Sequence, residues 1–221
     1  MSDAAEPTVL VRTVRGVGHL TLNRPRAINA LDLGMIEIIS DALDRWEHDA
    51  DIEVVLLDGA GERGLCAGGD VRGLREWILA GRVEETAHFF RAEYALNLRI
   101  ATYPKPVVVV ADGVTMGGGI GLAGHAAVRV VTERSRLAMP ETRIGFTPDV
   151  GGSWLLAHAP GRLGEYLALT GESMDAADAL AAGIADALVP SERIGDLRAA
   201  LADRADPATP AEIVLLFDET P

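Results

Sequence analysis

Two acids stand eight residues apart in the stretch MPETRIGFTPDVGG, residues 139–152: Glu141 and Asp149. Their neighbours are Met, Pro, Ile, Phe and Val, where solvated carboxylates are not expected. An acid facing a pocket has its pKa raised by desolvation, which suits it to act as base or acid near neutral pH. The plainer alternative for Asp149, which follows Pro148, is to cap the next helix. Glu141, after Pro140, has a weaker structural alternative.

Two glycine-rich turns accompany the acids: Ala67-Gly68-Gly69-Asp70 and Gly117-Gly118-Gly119. Glycine lets a ligand approach peptide N–H groups closely. Two such turns at helix N-termini could aim backbone donors at one oxygen, each donor contributing ~3 kcal/mol to stabilising a developing oxyanion. Turn geometry or helix packing is the alternative for either cluster alone. Other chemistries lack their signatures. There is no G-x-G-x-x-G in the right context, no G-K-[ST] phosphate loop and no G-x-S-x-G elbow. The five histidines make no H-E-x-x-H pair, so no metal is expected. Cys66 has no base supplied near it in sequence and reads as a buried small hydrophobe.

The elements that must position these residues alternate. TVLVRTVRGVGHLTLNRP reads as two strands around a Gly turn. Asp32 can cap a helix from Leu33, in which Ile36, Ile39, Leu43 and Trp46 recur at helical spacing. EVVLLDGAG and KPVVVVADG read as buried strands, and each Gly-rich turn follows one and leads into a helix. Residues 83–101 read as a helix, VRVVTE and RLAMPE as strands, 150–170 and 174–182 as helical, and IADALVP as a strand. This order predicts an α/β architecture. The tail RADPATPAEIVLLFDETP, with three prolines, reads as a linker plus a further fragment.

The chain has 221 residues, 48% of them hydrophobic, and a formal net charge of −13. That acidity argues against nucleic acid and anionic membrane surfaces as partners, but not against an anionic ligand bound by a local cationic cluster. A single cysteine excludes an intrachain disulfide. The start MSDAAEPTVLVRT has neither a secretory nor an Arg-rich transit pattern, and no apolar run approaches the roughly 20 residues of a bilayer span. The expectation is a cytoplasmic protein.

In combination, the segments NRPRAINALD, LCAGGDVRGL, PKPVVVVADGVTMGGGIGLAGHA, LAMPETRIGFTPDVGGSWLLAHAPG, LALTG and AAGIADALVP resemble, in order and spacing, the enoyl-CoA hydratase/isomerase (crotonase) superfamily over about residues 8–190. FFRAEYALN, GVTMGGGIGL and MPETRIGFTPDVGG are most similar to its 3-hydroxyisobutyryl-CoA hydrolase branch. The resemblance implies a spiral of repeated ββα units as the catalytic core over residues 1–190. Residues 191–221 are then a truncated C-terminal helical segment or linker, the start of a longer helical region. It implies an acyl-CoA substrate, with CoA part of the substrate and no separate cofactor, and a trimer-type homo-oligomer.

Residue by residue, the resemblance maps an oxyanion hole to the N–H groups of Ala67 and Gly118, and catalysis to Glu141 and Asp149. Substrate or CoA contacts map to Arg26, Ala27, Asn29, Gly68, Gly69, Asp70, Glu93 and Gly117. Arg24, Arg26 and Arg72 are candidates for the CoA phosphates by charge and position. Hydratases of the superfamily use two glutamates, and the place of the first is taken here by Gly121, which has no side chain to act. The second is Glu141, and Asp149 stands where the hydrolase branch has an acid. That swap favours thioester hydrolysis. Hydration or isomerisation, and non-catalytic binding of a CoA ester, are the competing readings.

Overall fold

The computed structural model describes residues 6–203 and 209–220. Strands β1 (Val9–Val14) and β2 (Val17–Leu22) form an antiparallel hairpin in which Val14 pairs with Val17. The two-residue turn between them, Arg15-Gly16, has positive φ at both positions, the geometry whose twist matches paired strands. Helix α1 (Leu33–Glu47) starts where the Asp32 carboxylate accepts from the Met35 N–H at 2.9 Å. It buries Met35, Ile36, Ile39, Ala42, Leu43 and Trp46.

Strand β3 (Val54–Gly59) leads through the first glycine-rich loop to α2 (Val71–Leu79) and α3 (Val83–Ala101). Then come β4 (Val107–Ala111), β5 (Val114–Met116) and α4 (Gly118–Ala123), followed by β6 (Val128–Val131), β7 (Arg136–Ala138) and α5 (Gly152–Ala157). A strand of the large sheet, a short second strand and a helix thus recur as a unit. Helices α6 (Leu163–Thr170) and α7 (Ala176–Ala181), strand β8 (Ala187–Leu188), and helices α8 (Ile194–Ala202) and α9 (Pro210–Leu215) complete the order.

The large sheet runs β1-β2-β3-β4-β6-β8, parallel after the first pair, and β5 and β7 form a small parallel sheet. Cys66 bridges to Thr115 and Leu137 to Met174, extending the small sheet on both sides. Both faces of the large sheet are covered, which is why its central strands are unbroken apolar runs. In β3, Val55 and Leu57 face the core that holds α1, α3 and α4, while Val54 and Leu56 face α8 and α9. Leu197, Leu201, Ile213 and Val214 close that second layer. Residues 204–208, inside the stretch read as a linker, lie outside the described residues.

Three local expectations change. The single helical stretch 150–170 is two helices, broken at Pro160-Gly161, where Gly161 has φ 59°. The C-terminal strand IADALVP shortens to two paired residues. Strand β5, only three residues long, was read as part of a turn because so short a run shows no period.

Candidate active site

Strand β5 ends at Met116, and the chain turns through Gly117 at φ 49° into α4. Gly118 is the first residue of that helix, so its N–H has no intrahelical acceptor. The 66–70 loop is tied to β5 by Cys66 N–H to Val114 O at 3.1 Å and Met116 N–H to Cys66 O at 2.9 Å. Its other edge pairs with residues 28–31: Ala67 N–H to Ile28 O at 2.9 Å, Leu31 N–H to Gly68 O at 2.8 Å and Asp70 N–H to Leu31 O at 2.8 Å.

This network corrects the assignment of Ala67. Its N–H is spent on Ile28, whereas the Gly69 N–H finds no acceptor among the described residues. The Gly69 nitrogen lies 3.4 Å from the position a Cβ on Gly118 would take. The pair of free backbone donors is therefore Gly69 and Gly118. The resemblance pointed to the N–H of Ala67, two residues earlier, because the hydrogen-bond pairing of the loop is set by the distant 28–31 segment and is not visible in its own residues.

Two carboxylates crowd the glycine turn. A Cβ on Gly117 would lie 2.8 Å from Glu141 Oε1, and one on Gly118 would collide with Glu93 Oε1. Glu141, in a short 3-10 turn after β7, is 7% exposed, and Glu93 on α3 is 3% exposed. Glu93 is thus no solvent-facing helix residue. Glu141 Oε2 and Glu93 Oε1 are buried without a protein partner. Burial, then the charges of Asp149 and Glu141, push Glu93 up to about 8. Burial first, with Asp149 adding to it, pushes Glu141 up to about 7. Burial also raises Asp149, against the opposing hydrogen bond from the Tyr94 hydroxyl at 2.7 Å.

These groups share one cavity of about 570 Å³, bounded by Ala67, Gly68, Gly69, Gly117, Gly118, Glu93, Glu141 and Asp149. Its remaining wall is largely apolar: Leu74, Ile78, Phe89, Phe90, Ile144 and Phe146 line it. Phe90 and Phe146 face each other at 6.0 Å between ring centroids. The arrangement offers a polarised oxygen site, acids of near-neutral pKa and an apolar slot, which together suit acyl chemistry.

Other expected contacts lie elsewhere. Residues 24–29 do not line the cavity. Arg26 and Ala27 are exposed on their turn. Asn29 is fully buried: its Nδ2 donates to Ala60 O and Gly64 O, and its Oδ1 accepts from the Arg24 N–H. The Arg24 guanidinium is engaged by Ala30 O, Asp70 and Asp32, so it clamps loops together. Asp70 caps α2 through the Gly73 N–H at 3.2 Å, a structural role. Arg75 lines the cavity and Arg72 does not. Cys66 is fully buried, and burial pushes its thiol up to about 12, as suits a small hydrophobe. Tyr94 was missed, since only folding brings α3 beside the loop before α5.

The profile of the enoyl-CoA hydratase/isomerase family matches residues 17–220. The mitochondrial 3-hydroxyisobutyryl-CoA hydrolase of Danio rerio is 44% identical over 218 residues, covering 99% of this chain and 56% of that protein. Its Xenopus tropicalis namesake is 50% identical over 181 residues, covering 81% and 46%. Among solved structures, a carnitinyl-CoA dehydratase from Mycobacterium thermoresistibile superposes with a TM-score of 0.91 at 46% identity, over 97% of this chain and 62% of that one. The chain spans about half the length of the curated relatives it matches. Those relatives are named as mitochondrial, which overturns the expectation of a cytoplasmic protein. That expectation rested on the first residues of the chain, and in a chain matching half of its relatives these carry no information about a leader.

Proposed function

The chain belongs to the enoyl-CoA hydratase/isomerase (crotonase) superfamily and has its fold, a repeated ββα core with a C-terminal helical region; on that premise we propose that it is an acyl-CoA thioester hydrolase. The substrate we propose is 3-hydroxyisobutyryl-CoA, cleaved to 3-hydroxyisobutyrate and free CoA. The observation that carries the reading is Glu141: a buried carboxyl with one unpartnered oxygen, held against the glycine turn in the cavity that contains the Gly69 and Gly118 donors. The 3-hydroxyisobutyryl-CoA hydrolase names of the relatives support this choice of reaction.

In this reading the thioester carbonyl oxygen sits between the Gly69 and Gly118 N–H groups, which stabilise the charge that develops on it. Glu141 takes a proton from a water molecule as the water oxygen bonds to the carbonyl carbon. When the tetrahedral intermediate collapses, the carbon–sulfur bond breaks, and the thiolate leaves and takes up the proton. Asp149, steadied by Tyr94, orients the water or the substrate hydroxyl. Glu93, neutral over most of the working pH range, contributes an O–H donor to the substrate. The apolar walls hold the acyl group.

The test incubates the protein with 3-hydroxyisobutyryl-CoA and, separately, with crotonyl-CoA, following free thiol and enoyl absorbance together. Thiol release from the first substrate, abolished in Glu141→Gln while CoA-ester binding persists, is the expected result. Loss of enoyl absorbance without thiol would assign a hydratase instead. Near-normal turnover in Glu141→Gln would sink the role of that residue.

A further inference from the structure

Asp149 enters the cavity from a backbone segment held in an unfavourable conformation. The next residue, Val150, has φ 47°, a region that β-branched residues rarely adopt, and it is 2% exposed. Such conformations persist only where the surroundings over-determine them. Two contacts do so here. The His125 ring, in a form carrying a proton on Nε2, donates to the Val150 carbonyl at 2.8 Å. The Val150 side chain rests on Gly121 in α4: a Cβ there would lie 2.7 Å from Val150 Cβ, and 2.8 and 3.0 Å from the Asn97 amide atoms. Neither His125 nor Gly121 lines the cavity that holds the acids.

The geometry points to His125 and Gly121 as positioning residues for Asp149, acting through Val150 to hold the left-handed turn that brings the carboxylate to Tyr94 and into the cavity. The catalytic meaning rests on the hydrolase reading above; the positioning itself does not. His125 supplies a donor to the Val150 carbonyl, and Gly121 supplies room for its side chain. Gln at position 125 keeps an N–H donor, whereas Phe keeps a ring and loses the donor. Ala at position 121 adds one methyl, which meets Val150 and the Asn97 amide. Gly at position 150 removes the collision with Val150 and the backbone penalty, leaving only the end of the Asn97 side chain, which holds no hydrogen bond there, to give way.

The test is a carboxyl ¹³C NMR titration of Asp149 in the full chain. In the wild-type background, Tyr94→Phe should raise the Asp149 midpoint, because it deletes the donor to the ionised form. In His125→Phe, and separately in Gly121→Ala, the same replacement should leave the midpoint nearly unmoved, because the carboxylate has already left Tyr94. His125→Gln and Gly121→Ala/Val150→Gly should recover the Tyr94 effect. In the thiol assay, His125→Phe and Gly121→Ala should lower kcat by about 10-fold with KM little changed, and the two rescuing variants should regain most of that rate. An undiminished Tyr94 effect in both impaired backgrounds would overturn the proposal, as would a Gln variant no better than Phe. If the wild type releases no thiol but the titrations behave as stated, the hydrolase reading fails and the positioning of Asp149 stands.

Discussion

The Tyr94 hydroxyl donates to Asp149 Oδ2 at 2.7 Å, and among the described residues it is the one side-chain donor to Glu93, Glu141 or Asp149. Three carboxyls thus share a site that stabilises one charge by a side-chain hydrogen bond. Asp149 is the acid best placed to stay ionised, and the two glutamates are pushed toward neutrality by burial and by Asp149 itself.

Replacing Tyr94 by Phe should therefore move the acid limb of the rate profile. The Tyr94 hydrogen bond opposes the rise that burial causes in the Asp149 pKa, so its loss should raise that pKa further. The kcat for thiol release should then fall mainly at the acid end, and the profile from pH 5 to 9 checks it.

Glu141 sets a second pH expectation. As a base it must be deprotonated, and its pKa is raised to about 7. The kcat/KM should climb roughly tenfold per pH unit below that value, reach a short plateau, and fall above about 8 as Glu93 loses its donor proton. Asp149 is one cause of the rise, so Asp149→Asn should shift the limb to lower pH while lowering the plateau. A limb that stays in place would show that Asp149 does not act on Glu141.

Glu93 predicts how stability depends on pH. Its folded pKa, about 8, exceeds the model-compound value of 4.5, so the folded state binds more protons between those values. The stability it contributes is fully present below 4.5 and lost as pH rises toward 8, on the order of 2–5 kcal/mol in all. Urea unfolding at pH 5.5 and pH 9 should show the loss, and Glu93→Gln should reduce it.

Asn29 separates a structural from a ligand-binding role. Asn29→Ala leaves the buried carbonyl of Gly64 without its donor and removes the contacts to Ala60 and Arg24. Stability should drop by about 2–4 kcal/mol, with the KM of the folded enzyme nearly unchanged. A large KM increase at unchanged stability would return Asn29 to the CoA site.

Much of the fold was legible because local patterns agree with it. Asp32 before the Leu33 helix, the Val run of β4 and the helix over 83–101 each carry their own signal of capping, burial on both faces or helical spacing. The site was half legible. Glu141, Asp149, Glu93, Gly68, Gly69, Gly117 and Gly118 do converge on one cavity, and the family motifs had singled them out. Asp70, Asn29 and Arg24 were also singled out, yet their side chains bind the protein. In a loop, the same residue types serve caps and clamps as readily as ligands.

By itself, the sequence determined which residues could do chemistry, the α/β order and the family, since these depend on residue type, period and ordered motifs. Only the tertiary structure decided which backbone N–H groups are left free, because Ala67 is paired by a segment about forty residues earlier. It alone decided that Tyr94 meets Asp149, that Val150 touches both His125 and Gly121, and that two glutamates are buried beside one aspartate. Those facts depend on distances between segments far apart in the chain, and burial shifts a pKa only after folding has removed the water.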